Sequence, residues 1–144
     1  MSQSINDVQD QIADEFSMLD GNIEMTIEYI MELGAQLPEM DEAIKTDEII
    51  VKGCQSKVWL KADFENDRIE FNADSNTAIT KGLVSLLVRI LSNRTPQEII
   101  DADLYFIDKI GLNRFIGTQR SNGFGAMMKQ MKIYGLAFST QLEG

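Results

Sequence analysis

The chain has 144 residues, 44% of them hydrophobic and 25% charged, with a formal charge of −10 and a pI near 4.4. That is apolar material enough for one domain over residues 1–144, and the acidic balance argues against nucleic acid and anionic membrane surfaces, which select basic patches. Histidine is absent and cysteine occurs once, which excludes Ser–His and Cys–His nucleophile pairs, His-ligated zinc and an internal disulfide.

In chain order, Ile5, Val8, Ile12, Phe16 and Leu19 recur at helical spacing behind a possible Ser4/Asp7 capping box, up to the interruption at Asp20-Gly21. A second helix is expected through Met25, Tyr29, Ile30 and Leu33, ended by Gly34 before Leu37-Pro38 and packed as a pair with the first. From Ile49 the period changes: Ile49-Ile50-Val51 is β-branched, Gly53 breaks it, and Val58, Leu60, Ala62 and Phe64 then alternate with polar residues and Trp59. Asn66-Asp67 separates that run from Arg68–Asn72, the pattern of a hairpin, so a small antiparallel sheet of about three strands is predicted.

Paired apolar residues from Ala78/Ile79 to Ile90/Leu91 predict a long core helix, with Asp74 and Ser75 as its capping residues. Thr95-Pro96-Gln97-Glu98 carries a cap, a proline and an acid in the order that starts a short helix. Leu104 to Leu112 has no clear period, and a last helix is expected from Ser121-Asn122-Gly123 with Phe124, Met127, Met128, Met131, Tyr134 and Phe138 on one face. Helices at both ends of central strands define an α+β class. The start Met1-Ser2-Gln3-Ser4-Ile5 is not that of a signal peptide, and Gly82 to Val88, the longest mostly apolar run, is too short for a bilayer. With an unpaired thiol, this predicts a cytoplasmic protein.

Cys54 lies between two predicted strands, in Val51-Lys52-Gly53-Cys54-Gln55-Ser56-Lys57-Val58-Trp59. An isolated cysteine is ordinarily a small buried hydrophobe. Here Gly53 permits a sharp turn, Ser56 leaves room for approach, and Lys52 and Lys57 are cations of the kind that raise the thiolate fraction.

This stretch resembles the V-x-G-C-Q-S-x-V-W signature of the SufE family at every fixed position. Three other segments agree with that family: Tyr29-Ile30 with Leu33-Gly34 and Leu37-Pro38, Asp74-Ser75 with Ile79 and Lys81-Gly82-Leu83, and Arg120-Ser121-Asn122-Gly123. The chain departs from it at Asn76 and Thr77, where the family often has an acid and an alanine, and at Asn93, where it often has a glycine.

The resemblance implies an α+β fold like that of SufE and the scaffold IscU. It also implies a cysteine desulfurase partner, SufS-like or CsdA-like, which hands persulfide sulfur to Cys54 and is stimulated in return. A downstream Fe–S scaffold then receives the sulfur. The pyridoxal phosphate belongs to the desulfurase; no cofactor or metal is expected on this chain, and a monomer or weak homodimer is the expected state. Cys54 is the expected persulfide-forming nucleophile, with Lys52 and Arg120 as cationic support and Asp74 as a residue that orients the loop or simply caps the following helix. The competing reading is allosteric activation of the desulfurase without sulfur transfer. One cysteine is too few thiolates for a cluster scaffold, and no resolving cysteine is present for a redox enzyme.

Overall fold

Ser4 and Asp7 each accept the other's backbone amide, at 3.0 and 3.3 Å, so helix α1 (Ile5–Ser17) starts at the predicted capping box. The computed structural model describes residues 3–143. Helix α1 buries Val8, Ile12, Ala13 and Phe16, and the chain reverses through Asp20 and Gly21, both with positive φ (51° and 72°). Asn22 then caps α2 (Ile23–Ala35) by accepting the Met25 amide.

Strands β1 (Val58–Glu65) and β2 (Arg68–Ser75) form the predicted hairpin, in the register Leu60↔Ala73, Ala62↔Phe71 and Phe64↔Ile69. Asn66 and Asp67 both adopt left-handed conformations (φ 55° and 62°), which polar, unbranched turn residues tolerate and which match the twist of the flanking strands. The sheet has two strands, not about three. Asp47–Ile49 is a 3-10 turn, and of the expected third strand there remains an isolated bridge between Ile50 and Trp59, with the Val51 amide donating to the Val58 carbonyl at 2.8 Å. Gly53, at φ 97°, turns the backbone away before a ladder can extend. The other sheet edge also ends in one bridge, Ile69 to Arg94, beside Asn93 at φ 62°; that left-handed geometry explains why asparagine can stand where the family pattern has glycine.

Helix α3 (Ala78–Leu91) lies at the centre, with Leu83, Val84, Leu86, Leu87, Ile90 and Leu91 all buried, and it packs against β2 on one side and α2 on another. Here two expectations are corrected. Gly34 does not end α2; it lies in the last turn, where a Cβ would come 2.6 Å from the amide nitrogen of Gly82. Helix α2 is likewise not primarily the partner of α1. Its long contact is the close seam with α3, and it meets α1 through the Phe16–Tyr29 edge and a Tyr29 hydroxyl that donates to Glu15.

Helix α4 (Pro96–Asp101) begins at the predicted Thr95/Glu98 capping box. The unassigned Leu104–Leu112 stretch contains α5 (Phe106–Ile110), ended by Gly111 in a left-handed conformation. Helix α6 (Leu112–Glu143) starts well before the expected Ser121 and is broken at Gly117 (φ 81°, ψ 169°), a backbone conformation that only glycine adopts readily. Past the break, Phe124, Met127 and Met131 are buried, while Met128, Tyr134 and Phe138 of the expected face are half-buried. No helix among the described residues is long and apolar enough to cross a membrane.

Candidate functional site

The loop carrying Cys54 is fixed at both ends by backbone. Upstream, Val51 is bonded to Val58; downstream, the Lys57 amide donates to the Asn76 side chain at 3.0 Å, while the Lys57 carbonyl accepts from the Ser75 hydroxyl (2.8 Å) and the Asn76 amide (3.2 Å). Between these anchors Gly53 supplies the positive φ that turns the loop back over α6, where a Cβ added to it would come 3.3 Å from the Ala126 methyl.

Cys54 is half-buried, and its thiol donates to the carbonyl of Gly123 at 3.4 Å. Gly123 forms the seat of the thiol: a Cβ added at that position would meet the sulfur at 3.4 Å, an ordinary van der Waals contact. Burial pushes the Cys54 thiol above the ordinary thiol range. Desolvation thus works against the thiolate, and the cations expected to favour it do not reverse that direction.

Cys54 opens onto a cavity of about 450 Å³. Its apolar wall is Leu83 of α3 with Ile116 and Met127 of α6, and its polar rim is Ser56, Thr80 and the segment Gly117–Arg120 exposed by the break in α6. Trp59, Phe64 and Phe71 take no part in that wall. Trp59 lies under the Lys45 ammonium at 5.2 Å, Phe64 stacks on Phe138, and Phe71 packs near Tyr134.

The four residues singled out from the sequence separate into two groups. Arg120 lies with Cys54 on the cavity wall, and its guanidinium reaches back to donate to the Ile116 carbonyl at 3.4 Å, next to the Gly117 break. Lys52 is exposed and does not line the cavity. Asp74 is 5% exposed, outside the cavity, and does not cap α3; the N-cap is Thr77. Because β2 continues to Ser75, Asp74 is a strand residue paired with Trp59. It binds Lys45 at 2.9 Å and Lys81 at 3.4 Å and accepts the Ser75 amide at 2.8 Å. Burial works to raise its pKa, but Lys45, the Ser75 amide and Lys81 together hold the carboxyl below its usual range.

Thr80 and Gly117 had no expected role, and Gly123 was expected only at the start of the last helix and in the Arg120–Gly123 segment. The usable signals were two closely spaced glycines, Gly123 and Gly125, where the last helical pattern begins, and a further glycine at Gly117 upstream of it. Among the described residues, no group of three or more His, Cys, Asp or Glu side chains comes together to hold a metal ion.

Residues 10–134 match the SufE family, described as the Fe-S metabolism associated domain. The chain is 39% identical over 128 residues to a SufE-like protein of Rhizobium meliloti, covering 85% of this chain and 91% of that one. A SufE-like protein of Rhizobium etli is 40% identical over 128 residues, with 85% and 86% covered. SufE-like protein 1, chloroplastic/mitochondrial, of Arabidopsis thaliana is 39% identical over 106 residues, which are 73% of this chain and 29% of that longer protein. The solution structure of a hypothetical protein from Thermus thermophilus has the same fold, with a TM-score of 0.74 at 18% identity over 92% of this chain and 96% of that one. The domain is thus of a class associated with Fe–S metabolism. The chain belongs to the SufE family.

Proposed function

We propose that Cys54 accepts persulfide sulfur from a cysteine desulfurase and carries it toward Fe–S cluster assembly. The observation that carries this reading is the placement of the chain's one thiol at a loop tip, facing a cavity with room for a further sulfur atom and with Arg120 on its wall. In the transfer, the Cys54 thiolate attacks the outer sulfur of the donor persulfide. A new S–S bond forms, the old one breaks, and the donor cysteine leaves as thiolate. The proton stays on the outer sulfur or passes to solvent, and no external oxidant is consumed.

The resting thiol must lose its proton for that step. Withdrawing Cys54 from the cavity on docking removes the burial that raises its pKa, so presentation and activation are one event. Returning the loaded cysteine to the cavity shields the persulfide from stray thiols, and the Arg120 guanidinium offers a cation to a persulfide anion. Lys52, exposed on the loop, fits contact with the partner better than support of the sulfur. Asp74 serves the fold as the buried partner of Lys45 and Lys81.

The test is to incubate the protein with a cysteine desulfurase, pyridoxal phosphate and cysteine, and to record intact mass without reductant beside a Cys54→Ser control. The expected result is a gain of about 32 Da, removed by thiol treatment and absent from the control. Faster desulfurase turnover with no mass gain would instead make the protein an allosteric activator.

A further inference from the structure

Between its backbone anchors at Val51 and Lys57, the cysteine loop is held by side chains of two residues. One is Cys54, resting on the Gly123 carbonyl. The other is Ser56, whose hydroxyl lies 2.9 Å from Thr77 Oγ1 and accepts from Thr80 Oγ1 at 3.3 Å. Gln55 faces solvent.

Thr80 is 5% exposed in the first turn of α3, and Thr77 is the N-cap of that helix. Both hydroxyls are therefore fixed by the most deeply buried element of the fold, while Ser56 belongs to the loop two residues from Cys54. A hydroxyl has one hydrogen to give and two lone pairs to accept with. Since Thr80 donates to Ser56, the Ser56 hydrogen is free to go to Thr77, and the three groups form a directed chain. Thr77 makes no capping bond with its side chain, so its hydroxyl is not spent on starting the helix.

We propose that Thr77 and Thr80 are positioning residues for Cys54: by holding the Ser56 hydroxyl, they set how often the loop leaves the cavity and presents the thiol to a sulfur donor. The inference rests on the reading of Cys54 as a sulfur acceptor, but the holding of the loop is measured without any donor. Loop opening must break both hydroxyl contacts, whereas the partly exposed Ser56 can satisfy itself with water once released. The latch therefore acts on the loop and spares the core.

The experiment follows the rate of Cys54 alkylation by iodoacetamide between about pH 6.5 and 10, a range that brackets thiol ionisation. Thr80→Val keeps the side-chain shape and removes the donor. It is expected to speed alkylation about three- to tenfold, the effect of one net hydrogen bond on an opening equilibrium, and to move the apparent thiol pKa down toward its ordinary value. Thr80→Ser restores the hydroxyl and should restore the parent rate and profile. Thr77→Val, at an exposed position where folding is not at stake, is expected to give about a threefold increase. In a Ser56→Ala background both valine substitutions should lose their effect, because the shared partner is gone.

Unchanged rates in both Thr77→Val and Thr80→Val would overturn the proposal. So would a Thr80→Val effect that persists undiminished with Ser56→Ala. Mass gain from a desulfurase, followed in parallel, separates the two ideas: variants that alkylate faster while no form of the protein takes up sulfur would leave the latch standing and remove the acceptor reading.

Discussion

Two glycine-lined contacts in this molecule look alike and behave differently. Along the seam between α2 and α3, Gly34 and Gly82 bring backbone against backbone. A Cβ on Gly82 would be driven into the Ile30 carbonyl, and one on Gly34 would meet the Gly82 amide nitrogen at 2.6 Å. At the Cys54 seat, Gly123 leaves space for a side chain, and a Cβ there would touch the sulfur at 3.4 Å, an ordinary contact. The first contact is rigid because both partners are helix backbone that cannot move without unpacking the core. The second can part, because one partner is a loop held by a weak thiol donor and a few hydroxyls. The contrast separates glycines that lock two helices together from a glycine that only seats a loop residue.

The largest expected effect comes from closing the seam. Gly82→Ala should cost about 3 kcal/mol or more, since overpacking against backbone cannot be relieved by a rotamer change, and a thermal melt would show a large drop or no folded protein. A substitution tolerated at the parent melting temperature would mean that α2 is free to shift away from α3.

Next come the ion pairs that tie the helices and hairpin around that seam, one at the half-buried Glu15 and one at the buried Asp74. Glu15 of α1 accepts from Arg89 of α3 (3.0 and 2.5 Å) and from the Tyr29 hydroxyl of α2 (2.5 Å). The Arg89 contact, against opposing burial and with help from Tyr29, holds Glu15 below the usual carboxylate range, and Asp74 is held low as described above. Both groups have folded pKa values depressed below their unfolded values. Their stabilisation is therefore complete above about pH 4.5 and is lost as pH falls through the lower folded values. Glu15→Gln should cost about 2 kcal/mol near pH 7, typical of hydrogen bonds to charged groups, and urea melts from pH 7 down to pH 3 should show a shallower acid dependence in that variant. Equal slopes would place the acid sensitivity elsewhere.

At the seat, the comparison sharpens by making the same alanine substitution. Gly123→Ala meets Cys54 at ordinary contact distance and gains helix propensity, so its stability should stay within about 1 kcal/mol of the parent. A loss as large as that of Gly82→Ala would show that the seat is as rigid as the seam. For sulfur transfer, Arg120→Ala should lower the rate of mass gain about tenfold, in line with one charge-assisted hydrogen bond. The smallest effect is expected from Lys52→Ala, which removes a solvent-facing cation and should leave sulfur uptake within about twofold. The reverse ranking would move the cationic support from the cavity wall to the loop.

Local signals in the sequence were followed faithfully where the deciding interactions are local. The Ser4/Asp7 and Thr95/Glu98 capping boxes, the Asn66-Asp67 turn and the apolar stripe of α3 each involve residues within a few positions of one another, and each formed as read. The readings that failed depended on what lay across the molecule. Ile49–Val51 had the composition of a strand, but a strand needs a ladder, and the Gly53 turn that presents Cys54 leaves room for a single bridge. Asp74 had the chemistry of a cap, but the hairpin register carried β2 past it and gave it Lys45 and Lys81 instead.

By itself the sequence determined that Cys54 is the one available thiol, that no histidine can assist it, and that helices surround a hairpin, because composition and short-range periodicity decide those points. Only the tertiary structure decided the site. Its cavity draws on residues 54–56, 80–83 and 116–127, three segments brought together by α3 and the broken α6. Its burial of the thiol, its placing of Arg120 rather than Lys52 on the cavity wall, and its use of Gly123 as a seat all arise from distances between residues far apart in the chain. Such distances are set by how the helices pack around one core, which no local propensity encodes.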